Sequence, residues 1–396
     1  MTARPIAAIA GIGWTDYTRN SGMSVEALAL QACTRAAEDA GLALSEVDGL
    51  TSFNLGDSVT TSVVATGLGL KQLNHFADFS AGGFMACGVV LEAALAVQAG
   101  LADVVIAYRA LNGVTGQRYG GAEFSQLLAR HGVHSDAEQQ FLDTAGITMP
   151  AQHFALLCRM HMNRYGTTED DLAAVALTAR AHANANPRAQ MRDRLLTKED
   201  YLRSPWVAEP FRLLDCCLQT DGGCALVITS VERARDLRKP PVHILSGFTA
   251  AGPANRGAMW SNYSPDPTVT YAEHHADRLF ARAGVSRNDL DFAEIYDCFT
   301  YSVIGQMEGF GLTPKGEAGA FFRAGDGRIG GRLPINTHGG LLSEGYIHGL
   351  NSVVEAVSQL RGEAGSRQVD EARLGLVTAG GATSTGSALI LSGALT

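Results

Sequence analysis

The feature that most constrains the fold is a duplication. Residues 26–48, EALALQACTRAAEDAGLALSEVD, place apolar side chains at helical spacing, stop at Ala40-Gly41 and run through a polar turn to Asp48 and the strand-like VDGLTSF. Residues 272–291, AEHHADRLFARAGVSRNDLD, do the same, with Ala283-Gly284 as the stop and Asp291 leading into FAEIYDCF. The Ala-Gly pair and the aspartate recur at one offset of 243 positions without a gap. A chain built this way holds two like units.

The other elements keep the same order. PIAAIAGIG precedes the first helix, and FSAGGF, the helix ACGVVLEAALAVQAG and the strand ADVVIAYRA follow it. PVHILSGFTAAG precedes the second helix, and THGGLLSEGYIHG, LNSVVEAVSQLRG and the strands RLGLVTAGG and SALILSG follow. Each half therefore reads as β-α-β-α-β with a glycine turn feeding its second helix. The pattern predicts a first half from residues 1–112 and 206–240, a second over 241–396, and an inserted lid subdomain over 113–205. That insertion carries helical segments such as MPAQHFALLCRMHMNRYG and TEDDLAAVALTARAHANANP, and is far too long for a plain connection.

Composition removes several function classes. A net charge of −9 without a Lys/Arg block offers no footprint for nucleic acid. No run of 18 apolar residues would span a membrane, and MTARPIAAIAGIGWTDY reads as a first strand rather than a signal segment. The seven cysteines are odd in number and dispersed, which suits reduced thiols in a cytoplasmic protein. None has zinc spacing, so no metal site is expected, and Cys87, Cys298 and the pair Cys216-Cys217 read as core packing. GGATSTG lacks the lysine of a phosphate loop, and GIGWTD lacks the third glycine of a dinucleotide fingerprint.

The paired halves, TDGGCALVITS, NPRAQMRDRLLTKEDYL and the closing LVTAGGATSTGSALIL resemble the thiolase superfamily over essentially the whole chain, most closely its sterol carrier protein X branch. The resemblance implies an α/β, five-layer αβαβα fold of two duplicated halves with mixed sheets, a homodimer formed through the first half, and an acyl-coenzyme A substrate. It also exposes what has changed. The family's Cys-x-Ser-Gly stretch falls on Ser80-Ala81-Gly82-Gly83, and its Cys-x-Gly-Gly-Gly turn on Thr378-Ala379-Gly380-Gly381-Ala382. The Gly-His-Pro-x-Gly histidine falls on Tyr346 of Gly345-Tyr346-Ile347-His348-Gly349, and the branch's His-Asp-Cys-Phe motif reads Tyr296-Asp297-Cys298-Phe299.

Four reactive positions have changed while the glycine framework persists, which points to repurposed chemistry. The pattern, with YRALNGVTGQRYGG, is similar to the steroid side-chain-cleaving aldolases of this superfamily. That likeness implies retro-aldol cleavage of a β-hydroxyacyl-coenzyme A, with a 17-hydroxy steroid side-chain thioester giving a 17-ketosteroid and a short acyl-coenzyme A such as propionyl-coenzyme A. It further implies a small partner made of an OB fold and a zinc ribbon, in a heterotetramer. No cofactor is expected on this chain, coenzyme A being part of the substrate. An unusual thiolase or acyltransferase using Ser80, Cys87 or Cys298, and a catalytically silent lipid-binding subunit, remain the alternatives.

Retro-aldol cleavage needs a base for the β-hydroxyl, donors for the enolate and an acid for the α-carbon. Tyr296 and Tyr346 are expected to face one another as base and acid, which requires a phenol pKa lowered from ~10 or a relayed proton. His338 and His348 are candidates to tune or relay, and a charged Asp297 nearby would oppose phenolate formation. Backbone N–H groups near Gly380 and Gly381, with those near Ser80 at a helix N-terminus, are the expected enolate donors.

Overall fold

The computed structural model describes residues 4–116, 144–252 and 266–393. In chain order the first half supplies β1 (Ala7–Trp14), α1 (Val25–Ala40), β2 (Gly49–Asn54), α2 (Thr61–Gly67), β3 (His75–Ser80), α3 (Ala86–Gln98) and β4 (Val104–Asn112). Insertion helices α4 (Pro150–Tyr165) and α5 (Glu169–Asn184) follow, with a short helical turn at Lys198–Arg203. Then come β5 (Asp221–Thr229), β6 (Val242–Ala251), α6 (Tyr271–Ala283), β7 (Phe292–Glu294), α7 (Thr300–Gly309), α8 (Leu350–Leu360), β8 (Leu374–Ala379) and β9 (Thr385–Ser392).

The repeated helices begin and end alike. Ser24 Oγ accepts the Ala27 N–H at 3.1 Å ahead of α1, and Thr270 Oγ1 accepts the Ala272 N–H at 3.2 Å ahead of α6. Gly41 and Gly284 close them with φ of 77° and 67°, the left-handed cap that an Ala-Gly stop calls for.

The nine strands join in one mixed sheet, ordered β3-β2-β4-β5-β1-β6-β9-β8-β7. Its two halves meet only where Ala7, Ala8 and Ile9 of β1 pair with Ile244, His243 and Val242 of β6. Such a short seam lets the halves fold over one another, and α3 and α8 fill the space between them, touching strands of both. Helix α1 covers the outer face of the first half and α6 that of the second. Five layers result, helix-sheet-helix-sheet-helix, and the middle one buries apolar side chains together with polar ones of α8 such as Asn351, Glu355 and Gln359.

The halves are not identical. Strand β3, an edge strand absent from the simplest β-α-β-α-β reading, is matched in the second half only by a single parallel bridge from Ala293 to Ile335. From both positions the chain runs through a glycine turn into a middle-layer helix, α3 or α8. The last part of YRALNGVTGQRYGG and the inserted segment from there to residue 143 lie outside the described residues.

Candidate active site

A strand end and a turn between two helices bring two phenols to one point. Tyr296 follows β7, and its backbone is clamped on both sides: its N–H donates to Thr378 Oγ1 of β8 at 3.1 Å, and its carbonyl accepts from Gln306 Nε2 of α7 at 2.7 Å. Tyr346 lies in the turn before α8, its N–H donating to Thr220 Oγ1 at 2.7 Å. The phenol oxygens are 3.2 Å apart, so each is the other's hydrogen-bond partner. Glycine makes the approach possible. A Cβ on Gly83 would collide with the Tyr296 hydroxyl, and one on Gly349 would sit 2.7 Å from the Tyr296 ring.

Both phenols are buried, and both are held well above the usual tyrosine range. Burial is the main cause, reinforced at Tyr296 by the neighbouring Cys298 and at Tyr346 by Tyr296 itself. Of the two routes open to a tyrosine, a lowered phenol pKa or a relayed proton, raised phenols favour the second. Asp297 adds to this. Burial pushes its carboxyl up to about 7, against the Leu341 and Leu342 N–H groups that it accepts at 2.8 and 3.3 Å.

The phenols line a cavity of about 540 Å³. Its walls are mainly apolar, with Leu55, Phe84, Phe154, Met191 and Leu214 among them, and α4 contributes Phe154 from the insertion. His348 lines the same cavity, its ring centroid 5.1 Å from that of Tyr346. Its Nδ1 lies 2.9 Å from Nη2 of Arg109, which also meets Asp57 Oδ2 at 2.5 Å. Burial, then the adjacent guanidinium, pushes the His348 pKa down to about 3.

The remaining candidates are distributed unevenly. Gly380 lines the cavity with φ of 115°, whereas Gly381 packs behind it against Phe154 and Ser302. Ser80 ends strand β3 and is exposed; it does not sit at the N-terminus of α3, which starts six residues later, and the cavity is lined at Gly82, Gly83 and Phe84 instead. Asp297 faces the backbone of the short helix Gly340–Ser343 rather than the cavity, so it is a support, not a substrate ligand. His338 is likewise outside the cavity. It pairs with Glu294 at 2.8 Å and lies 3.7 Å from Glu344.

The thiols pack as expected, with one addition. Cys87 is fully buried against Val377, Cys298 belongs to the core and Cys216 and Cys217 pack against it, while these last three also line the cavity. Burial pushes Cys216 and Cys298 up to about 12, so neither is a thiolate near neutral pH.

Sequence reading missed Arg109 and Asp57. One signal was present: a lone charge inside the apolar run VVIAYRAL, in a strand covered on both faces, demands a buried partner.

The profile described as "Thiolase C-terminal domain-like" matches residues 257–393. Over 97% of both chains, the protein is 42% identical to a steroid side-chain-cleaving aldolase of Thermomonospora curvata. The chain belongs to the thiolase superfamily. Within that superfamily it is also 42% identical to a 17-hydroxy-3-oxo-4-pregnene-20-carboxyl-CoA lyase of Mycobacterium tuberculosis, over 90% of this chain and 92% of that one. Among solved structures it matches an Ltp2-ChsH2(DUF35) aldolase with a TM-score of 0.89 and 41% identity, covering 98% of this chain and 97% of that chain. These thiolase-superfamily relatives are named as aldolases and a lyase.

Proposed function

We propose that this protein is the thiolase-like subunit of a carbon-carbon lyase that cleaves the side chain of a 17-hydroxy steroid carried as its coenzyme A thioester. The observation that carries the proposal is the 3.2 Å contact between the Tyr296 and Tyr346 hydroxyls in the wall of a mainly apolar cavity. The substrate's 17-hydroxyl gives up its proton, its oxygen becomes the ketone, and the bond from C17 to the α-carbon breaks with its electron pair passing into a thioester enolate. A proton at the α-carbon then completes propionyl-coenzyme A. One proton moves and no electrons are gained or lost, so the chemistry calls for no redox partner.

A paired phenol performs this move without resting as a phenolate. One tyrosine accepts the hydroxyl proton as it passes its own to the other, and the second delivers a proton to the α-carbon. Raised phenol pKa values are then no obstacle, because neither oxygen carries a full charge between turnovers. Gly380, with the backbone around Gly82 and Gly83, lines the space beside the phenols and is our candidate for the enolate donors.

We further propose a homodimer and a small OB-fold, zinc-ribbon partner in a heterotetramer. The dimer is supported by β3, an edge strand with burial alternating along it and Phe76 left 64% exposed. The partner is supported by the two-component nature of the Ltp2-ChsH2(DUF35) relative. All seven cysteines are unpaired, which suits a cytoplasmic enzyme, and no helix among the described residues is long and apolar enough to cross a membrane.

The test is steady-state release of propionyl-coenzyme A from such a thioester by the chain with its partner. Tyr296→Phe and Tyr346→Phe should each lower kcat by ~10²- to 10⁴-fold with KM changed far less. Cys298→Ala and Cys87→Ala should retain cleavage. If the cysteine variants are inactive and the phenylalanine variants are not, the thiolase alternative replaces this reading.

A further inference from the structure

The polar end of the cavity contains an imidazole whose hydrogen-bonding state is dictated by its neighbours. A guanidinium only donates, so the 2.9 Å contact from Arg109 Nη2 obliges His348 Nδ1 to accept. A neutral ring has one N–H, which must then be on Nε2. Arg109 is fixed from several sides. Its side chain is fully buried and ion-paired with Asp57, which is itself 2% exposed and accepts the Leu55 N–H at 2.9 Å. The guanidinium also lies over the Phe53 ring at 5.0 Å. Arg109 and Asp57 come from the first half and His348 from the second, so the contact spans the duplication. His348 itself adopts φ of 54°, a conformation that a non-glycine residue keeps only when its surroundings impose it.

We infer that Arg109, anchored by Asp57, locks His348 as the neutral Nε2–H tautomer, and that this N–H donates to the thioester oxygen on which the enolate charge develops. His348 is then a substrate-contacting donor, with Arg109 and Asp57 as positioning residues. Burial and the adjacent guanidinium, which hold the ring pKa near about 3, keep it neutral at working pH. A neutral imidazole stabilises an oxyanion by donation without surrendering its proton, which leaves the proton transfer to the two phenols. The inference rests on the aldolase reading for its target atom, but the tautomer does not.

Nitrogen-15 NMR of histidine-labelled protein tests it, with the His348 signals assigned by their loss in His348→Gln. In the wild type, Nδ1 should appear unprotonated and Nε2 protonated from pH 5 to 8. Arg109→Met should release the ring to a mixture of tautomers and lower kcat by roughly 10- to 10³-fold with KM little changed. His348→Gln, which keeps a donor, should retain more cleavage than His348→Leu. An Nδ1–H ring in the wild type overturns the inference even if cleavage persists, as does equal activity of the Gln and Leu variants. Absence of cleavage by the wild type with its partner, beside an Nε2–H ring, instead overturns the aldolase reading and with it the assigned target.

Discussion

Tyr296 and Tyr346 cannot both be described by the pKa of an isolated phenol. Their hydroxyls share one hydrogen bond in a buried pocket, and ionising either leaves a charge beside the other phenol in surroundings that disfavour it. The pH dependence follows with a definite sign. A base that had to ionise first would give a kcat rising tenfold per unit below its pKa; a proton relay between neutral phenols gives no such limb. Between pH 7 and 9, kcat is therefore expected not to rise, and a log-linear increase over that range would point to a free phenolate. Gly83→Ala probes the same pair by shape. Its methyl group must displace the Tyr296 hydroxyl, so cleavage should fall by at least ~10-fold, as small misplacements of reacting groups do. Thermal unfolding separates that loss from a folding defect.

At the scale of elements, the second half grips Tyr296 through β8 and α7. Thr378 Oγ1 accepts from the Tyr296 N–H and donates to Gln306 Oε1 at 2.7 Å, while Gln306 returns a bond to the Tyr296 carbonyl. The threonine thus occupies the slot of a thiolase thiol and does a different job. Thr378→Val keeps the volume but strands the buried Tyr296 N–H and leaves Gln306 Oε1 with the Tyr271 hydroxyl as donor, so it should cost ~1–3 kcal/mol in unfolding free energy and lower kcat, while Thr378→Ser should recover most of both. The slot itself was legible in the sequence because the surrounding glycines mark the turn. Helices α1 and α6, both ends capped, were legible for a similar reason: local chemistry sets a cap, and local chemistry is written in order. Strand β3 and the Arg109 to His348 contact were not. The first depends on pairing with β2 on only one edge, and the second joins residues 239 positions apart across the duplication. Ser80 was misplaced because a glycine turn announces a bend without fixing how many residues later the helix begins.

Across the whole molecule, a buried charged network ties the inserted segment to the second half beneath the site. Arg188 reaches Glu355 at 2.8 Å and Glu344 at 3.1 Å, Arg367 meets Glu355 at 2.8 Å, and the Arg188 guanidinium lies 4.7 Å from the Trp14 ring of the first half. His338 completes it between Glu294 and Glu344. Burial alone would lower this imidazole's pKa, but the carboxylates Glu344 and Glu294 outweigh burial and push it up to about 9. A histidine raised from 6.5 in the unfolded chain binds its proton more tightly when folded. Its stabilisation is therefore complete below about pH 6.5, declines as pH rises, and is gone above about 9. His348 and His182, pushed down to about 3 and about 4, act with the opposite sign and at more acidic pH, so they do not mask that window. Melting temperatures of the wild type and His338→Gln should accordingly differ most near pH 6 and converge toward pH 9, with the wild type higher throughout the acidic side. A constant gap between the two curves from pH 6 to 9 would mean that His338 is neutral in the fold, and that Glu294 and Glu344 are held by Arg188 and the surrounding hydrogen bonds alone.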